Sequence, residues 1–355
     1  FRGSRGPSCA MGCALRHHEQ GQPPACSPGA KPARKASLEA LGKAVAKRRS
    51  FSMDFGAQLR QAVDPAVWIA TTPVRIQADA VDALFVAQGE WACVRAGGAV
   101  AVIGSDDATT CHLIALLDWQ GNGTAGPALA AAAVAHCSSP EEVEAAVSLM
   151  YSQILDLRGA NANARGSVEV YVAGGLAGDA ESAQMTRTLQ RLVAQLQSHQ
   201  GGACLVLRLL ATCEHNCSSA QPGQPAVRGL LVRLASGEVL PATWDDDVRG
   251  PLKELRQARF LAVNPGGRPV CCYEQETDDI VVPPFDWGLG RWGWLARQDN
   301  HFFKQHFSTS PEQELSRFAN DLREVFAFLA THPDAGKVFN GCPRREPRRL
   351  RLRSL

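Results

Sequence analysis

Residues 111–117 read CHLIALL, a segment apolar on both alternating faces. Successive side chains of a strand point to opposite sides, so this segment is expected to be a strand buried on both. The chain has 355 residues, of which 45% are hydrophobic. That share excludes a wholly disordered chain. The length suits two domains, or one large domain with disordered ends. No apolar run approaches the roughly 18 residues that a membrane span needs, and the longest, Gly126–Ala135, contains a proline. Twelve cysteines are scattered without regular spacing. They are expected to be mostly reduced, in an intracellular protein without a secretory signal.

The pattern along the chain predicts one domain over residues 56–335, of the α+β class. Short strands are expected at Ala83–Ala87, Ala99–Ile103, Cys111–Leu117, Val134–Cys137, Ser167–Ala173 and Ala203–Leu210. Ser138-Ser139-Pro140-Glu141-Glu142 has the chemistry of a helix start: serine for the free amides, proline in the first turn, glutamates at the positive end of the dipole. Asp179 is expected to cap a second helix. Ser236-Gly237 signals a hairpin, a short helix fits Leu252–Phe260, and Pro311 is expected to begin a last helix carrying Leu315, Phe318, Leu322, Phe326 and Leu329. Strands and helices alternate only partly, which disfavours a doubly wound parallel sheet.

The net charge of +2 hides an asymmetry. Residues 1–50 carry ten basic and two acidic side chains, a net of +8, and residues 336–355 carry seven against one, a net of +6. The remainder, 51–335, is therefore −12. The segments 1–55 and 336–355 are expected to be disordered basic tails, the first resembling an organellar transit peptide. The Arg-rich C-terminal tail lacks interleaved aromatic residues, so no nucleic-acid partner is expected.

Gly104–His112 (GSDDATTCH) is the segment with chemical content. A strand ends at Ile103, a polar loop follows, and a buried strand opens at Cys111. Loop amides at such a junction can converge on one point beside a thiol, the arrangement of an oxyanion site. A cysteine becomes a strong nucleophile only with help from a base or positive group. His112 is adjacent but should face away from Cys111. His136, in AHC, lies on what would be a neighbouring strand. His301 and His306 lie in a distant polar stretch. The alternative reading is that Cys111 fills the core as a small hydrophobe, and that Ser105, Asp106 and Asp107 are turn residues.

GSDDATTCH, followed by an apolar strand and GNG, resembles the protein N-terminal asparagine amidohydrolase family of animals and plants. Further matching elements follow in order: LFVAQGEWA (Leu84–Ala92), AHC (Ala135–Cys137), VYVAGG (Val170–Gly175), VRGPLKELRQAR (Val248–Arg259), PFDW (Pro284–Trp287), RQDN (Arg297–Asn300) and STSP (Ser308–Pro311). The alanine-rich stretch Ala128–Ala133 and the Cys213–Cys217 loop look peculiar to this chain. The resemblance implies hydrolysis of the side-chain amide of an N-terminal asparagine on a protein. Aspartate and ammonia are the products, and the reaction feeds the N-degron route to ubiquitination. It implies Cys111 as nucleophile, and no cofactor or metal. A looser similarity to Cys–His glutamine deamidases implies a β-sandwich-like core flanked by helices, with His136 as base and Ser105 as third member. Backbone amides around Thr110 and Cys111 would hold the oxyanion. A free α-ammonium must also be read, and Asp106 or Asp107 is the carboxylate close enough in sequence. A monomer acting on protein or peptide substrates in cytoplasm or nucleus is expected, though the basic N-terminus would permit organellar import.

Other cysteine and glycine groupings carry less. Cys9, Cys13, His17, His18 and Cys26 sit in an irregular Pro/Gly-rich setting. Gly174-Gly175 and Gly178 lack phosphate-loop spacing and suit a tight strand-to-helix turn.

Overall fold

The computed structural model describes residues 62–352, apart from 78–81, 122–126, 159–165, 198–203, 219–222, 251, 264–266 and 340–346. The expected arm 1–55 and its Cys/His grouping lie outside the described residues.

The elements run α1 (Pro65–Ile69), β1 (Val74–Ile76), β2 (Ala83–Phe85), β3 (Glu90–Arg95), β4 (Val102–Ser105), β5 (His112–Gly121), β6 (Pro127–Cys137), α2 (Pro140–Arg158), β7 (Gly166–Gly174), α3 (Ala180–Gln197), β8 (Cys204–Thr212), β9 (Leu230–Arg233) and β10 (Glu238–Trp244). There follow α4 (Lys253–Val263), β11 (Val270–Cys271), β12 (Tyr273–Glu274), β13 (Asp279–Val282), α5 (Trp292–Leu295), α6 (Asn300–Phe307), α7 (Phe318–Thr331), α8 (Ala335–Val338) and β14 (Arg348–Arg351). The strands form a five-stranded sheet, β1-β10-β9-β4-β2, a six-stranded sheet, β11-β3-β6-β5-β7-β8, and a small β12-β13-β14 sheet. Parallel and antiparallel pairings are mixed, as the α+β reading requires.

β5 shows why the sequence needs three layers. Leu113, Ala115 and Leu117 face the five-stranded sheet, packing with Leu84, Ile103, Leu230 and Val232. Ile114 and Leu116 face the opposite way, against Val147, Met150 and Ile154 of α2 and Met185 and Leu189 of α3. Each such Leu, Ile, Val or Met side chain, fully buried, contributes about 1.5–3 kcal/mol. The helix starts follow their residues. Ser139 Oγ accepts from Glu142 N–H at 3.2 Å as the N-cap, while the Glu142 carboxylate reaches back one residue further, to Ser138 N–H at 2.6 Å. Asp179 accepts from Ser182 N–H at 2.7 Å.

Three expectations need correction. β6 does not begin at Val134 but at Pro127, and Ala128–Ala133 lie within it. Alanine is a poor strand former in isolation, but here β6 is paired on both sides, by β3 and β5. Its small side chains fit beneath α2, and tertiary packing outweighs propensity. The last long helix starts at Phe318, not Pro311. Segment 311–317 is held instead by tertiary bonds: Arg228 donates to Gln313 O at 2.7 Å and Lys304 to Glu314 O at 3.2 Å. The C-terminal segment is not a tail throughout. Arg348–Arg351 pair antiparallel with Asp279–Val282, and Phe339 and Leu352 are buried. The arginines read as a solvated run because the strand is an edge, with charged side chains outside and the buried residue just beyond it. Among the described residues no helix is long and apolar enough to cross a membrane.

Candidate active site

The loop 106–111 crosses from the end of β4 in one sheet to the start of β5 in the other. Its course is set by what it touches. Gly175 N–H donates to Cys111 O at 2.8 Å, and Gly174 lies so close that a Cβ there would stand 2.3 Å from the same oxygen. Both glycines have positive φ, 111° and 72°, so Gly174-Gly175 at the end of β7 make the tight strand-to-helix turn expected of them, placed against the segment that carries Cys111. Ser182 Oγ of α3 donates to Thr110 O at 2.8 Å. Arg228 donates to Thr109 Oγ1 at 2.6 Å.

Cys111 lies on the inter-sheet face, and His112 on the helix face, where its Nε2 meets Thr186 Oγ1 at 2.8 Å. His136 is the register partner of Leu113, two residues beyond Cys111 and on the same face. Cys111 and His136 line one cavity of about 390 Å³. Ser105 Oγ, fully buried, donates to Val86 O at 2.6 Å. Its proton being spent there, Ser105 accepts from His136 Nδ1, 2.9 Å away. The imidazole is thereby held as the Nδ1–H tautomer, with Nε2 as the bare nitrogen. Among the described residues Nε2 is buried without a hydrogen-bond partner.

Burial sets the protonation states. It pushes His136 down to about 4, outweighing the Asp107 carboxylate, which favours the cation. It pushes the Cys111 thiol well up, and the carboxylates of Glu142, Glu314 and Glu181 add to the effect. The resting pair is therefore neutral thiol and neutral imidazole.

Asp106 and Asp107 line the cavity but are already engaged. Asp106 accepts from Trp244 N–H at 2.9 Å and Arg317 at 3.2 Å. Asp107, at a left-handed φ of 65°, is bonded to Arg317 and lies 2.6 Å from Arg249 Nη1. Burial disfavours its charge, yet Arg249 and Arg317 outweigh burial and hold its carboxyl below the usual range. The pair clamps the loop to the 246–249 turn and to the start of α7. Glu181 and Glu314 also line the cavity. Glu181 is held above its ordinary value by burial and by the neighbouring Asp179 and Glu141 carboxylates, an environment that favours an added cation.

Sequence reasoning passed over several of these side chains. Gln88 stands 3.4 Å from Cys111 Sγ. Arg256 is fully buried against Glu90 and donates to Phe85 O at 2.8 Å and Arg249 O at 2.9 Å. LFVAQGEWA carries Gln88 and Glu90, and VRGPLKELRQAR carries Arg249 and Arg256. The signal was present as matching segments, without a chemical role for each residue. His301 and His306 do not line the cavity. Cys271 packs against the helix-side cluster and Cys272 against the inter-sheet cluster. Among the described residues no group of three or more His, Cys, Asp or Glu side chains could hold a metal ion.

A buried thiol and an imidazole that line one cavity, with a hydroxyl fixing the imidazole's tautomer, are the parts used by hydrolases that open amides through cysteine. A family model described as protein N-terminal asparagine amidohydrolase matches residues 74–352, and the chain belongs to that family. Proteins named protein N-terminal asparagine amidohydrolase are similar to it. The one from Sus scrofa is 29% identical over 255 residues, covering 70% of this chain and 75% of its own. The one from Homo sapiens is 28% identical over 264 residues, 73% and 78% respectively. The one from Arabidopsis thaliana is 26% identical over 279 residues, 75% and 77%. The match extends through β14, beyond the boundary at 335 that the sequence suggests.

Proposed function

We propose that this protein deamidates N-terminal asparagine through a thioester on Cys111. The observation that carries the reading is the Ser105–His136 hydrogen bond, which leaves Nε2 without a partner among the described residues on an imidazole that lines the same cavity as Cys111. As Sγ adds to the carboxamide carbon, its proton passes to His136 Nε2. Backbone amides around Thr110 and Cys111 receive the developing oxyanion. The carbon–nitrogen bond then breaks, and the imidazolium returns its proton to the departing ammonia. Water, deprotonated by His136, opens the thioester to aspartate. Ser105 acts through His136 and is a positioning residue.

The substrate must present a free α-ammonium, or internal asparagines would react. Asp106 and Asp107 were the sequence-level choices, but each is paired with arginine. Glu181 and Glu314 suit the ammonium better: both lie near enough to Cys111 to raise its pKa. The aspartyl product would serve as a signal for arginylation and ubiquitin-dependent degradation. Ammonia release from an Asn-starting peptide tests the reading. Wild-type protein is expected to release it, Cys111→Ala to release none while remaining folded, and an α-acetylated peptide to be inert. Turnover by Cys111→Ala would remove the thiol from the mechanism.

A further inference from the structure

Gln88 carries no role in the mechanism so far, yet its Nε2 donates toward the nucleophile at 3.4 Å from the wall of the same cavity. The turn that bears it is pinned on both sides. Ala87 N–H donates to Glu90 Oε2 at 3.0 Å, Gly89 N–H to His136 O at 2.9 Å, and Val270 N–H to Gly89 O at 3.1 Å. Gly89 has φ 74°, and a Cβ there would lie 2.6 Å from the Phe260 ring, so the turn cannot be relaxed by side-chain bulk. Glu90 is in turn locked by buried Arg256. One hydrogen bond ties this turn to the backbone of His136 and another ties its side chain to Cys111. Gln88 is thus held in fixed relation to both reacting groups.

We infer that Gln88 is a catalytic oxyanion donor. The inference rests on the deamidase reading above and extends it to a residue outside the thiol–imidazole–hydroxyl set. A neutral carboxamide cannot supply or remove a proton at useful pH, so acid–base work is excluded. What it offers is two N–H donors held in a cavity wall, the preorganised dipole that a developing alkoxide requires. When the Sγ–carbon bond forms, the carbonyl π pair moves onto oxygen and the thiol proton goes to His136. Gln88 Nε2–H then bonds that oxygen together with the backbone amides. On collapse the carbonyl reforms, the carbon–nitrogen bond breaks and the hydrogen bond weakens. The rival role is that Gln88 only holds the thiol in place.

Two measurements on the full chain separate these roles: steady-state ammonia release from an Asn-starting peptide, and the rate of Cys111 alkylation by iodoacetamide, followed by peptide mass mapping. Alkylation forms a sulfur–carbon bond at a saturated carbon and develops no oxyanion. Gln88→Ala is expected to lower kcat by about 10²–10³-fold, with KM and the alkylation rate little changed. Gln88→Glu, whose carboxylate has no N–H, is expected to lose at least as much. An undiminished kcat, or a fall in alkylation that matches the fall in kcat, would overturn the proposal while wild-type turnover kept the deamidase reading intact. Absence of ammonia from the wild-type protein would overturn both.

Discussion

Ser105 belongs to one sheet and His136 to the other, yet Ser105 Oγ lies 2.9 Å from His136 Nδ1. The bond crosses the interior of the sandwich and orients the imidazole from behind. Because Ser105 gives its own proton to Val86 O, the direction of the bond is determined, and with it the nitrogen that carries the proton.

Ser105→Ala should therefore slow turnover without moving the thiol. It leaves the buried Nδ1–H with no acceptor, a loss of about 1–3 kcal/mol that corresponds to roughly a 5- to 160-fold fall in kcat. Ser105→Thr, which keeps the hydroxyl, should recover part of it. Steady-state kinetics on both variants check this; a wild-type rate in Ser105→Ala would mean that the tautomer is set elsewhere.

His136 and His112 offer a direct comparison, being equally histidine, both buried, and on opposite faces of the six-stranded sheet. His136→Gln should abolish all but residual turnover, by about 10²–10⁴-fold, the range for a lost general base. His112→Gln should retain most activity and show its effect in the thermal midpoint, since its partner is Thr186 on α3. The reverse ranking would show that the strand-face argument does not govern the site.

Acid should act on rate and stability in different windows. His136 must be neutral to accept the thiol proton, so activity should fall as pH drops through about 4. Stability is affected sooner. His112 and His136 are both depressed from 6.5 to about 4 by burial, so the unfolded chain takes up protons first. The contribution is complete above 6.5 and is lost as pH falls toward 4. Urea midpoints measured across that interval should decrease while the rate, on folded protein, still holds.

Glu181→Gln should raise KM for Asn-starting peptides by about tenfold, the loss of one charge-assisted bond of roughly 1.5 kcal/mol, with kcat little changed. Asp107→Asn, by contrast, should loosen the clamp to Arg249 and Arg317 and lower stability. A KM effect confined to Asp107→Asn would return the ammonium to the aspartate pair.

Glu90→Gln should destabilise the fold by about 3–5 kcal/mol, because it strands the buried Arg256 guanidinium. Chemical denaturation would show this directly, and an unchanged midpoint would mean that the bonds from Arg256 to Phe85 O and Arg249 O satisfy the charge.

The local readings that survived are those in which the residue itself carries the cause. CHLIALL specifies a strand with two apolar faces wherever it is placed. Ser139 and Asp179 cap their helices through their own oxygens, and the alternation expected along CHLIALL separates Cys111 from His112 before any fold is known. Contacts between distant segments could not be read in this way. Ala128–Ala133 became a strand only because β3, β5 and α2 enclose it, and Leu315 was drawn out of a helix by Arg228, Lys304 and the aspartate pair. The acid-rich loop displays two carboxylates in sequence. Only folding brings Arg249 from the turn before α4 and Arg317 from the start of α7 to neutralise them, and only folding turns Gln88 toward the thiol. A strand's pattern and a cap's chemistry act over a few residues, whereas a charge or a donor finds its partner through space, and that partner is chosen by how the layers pack.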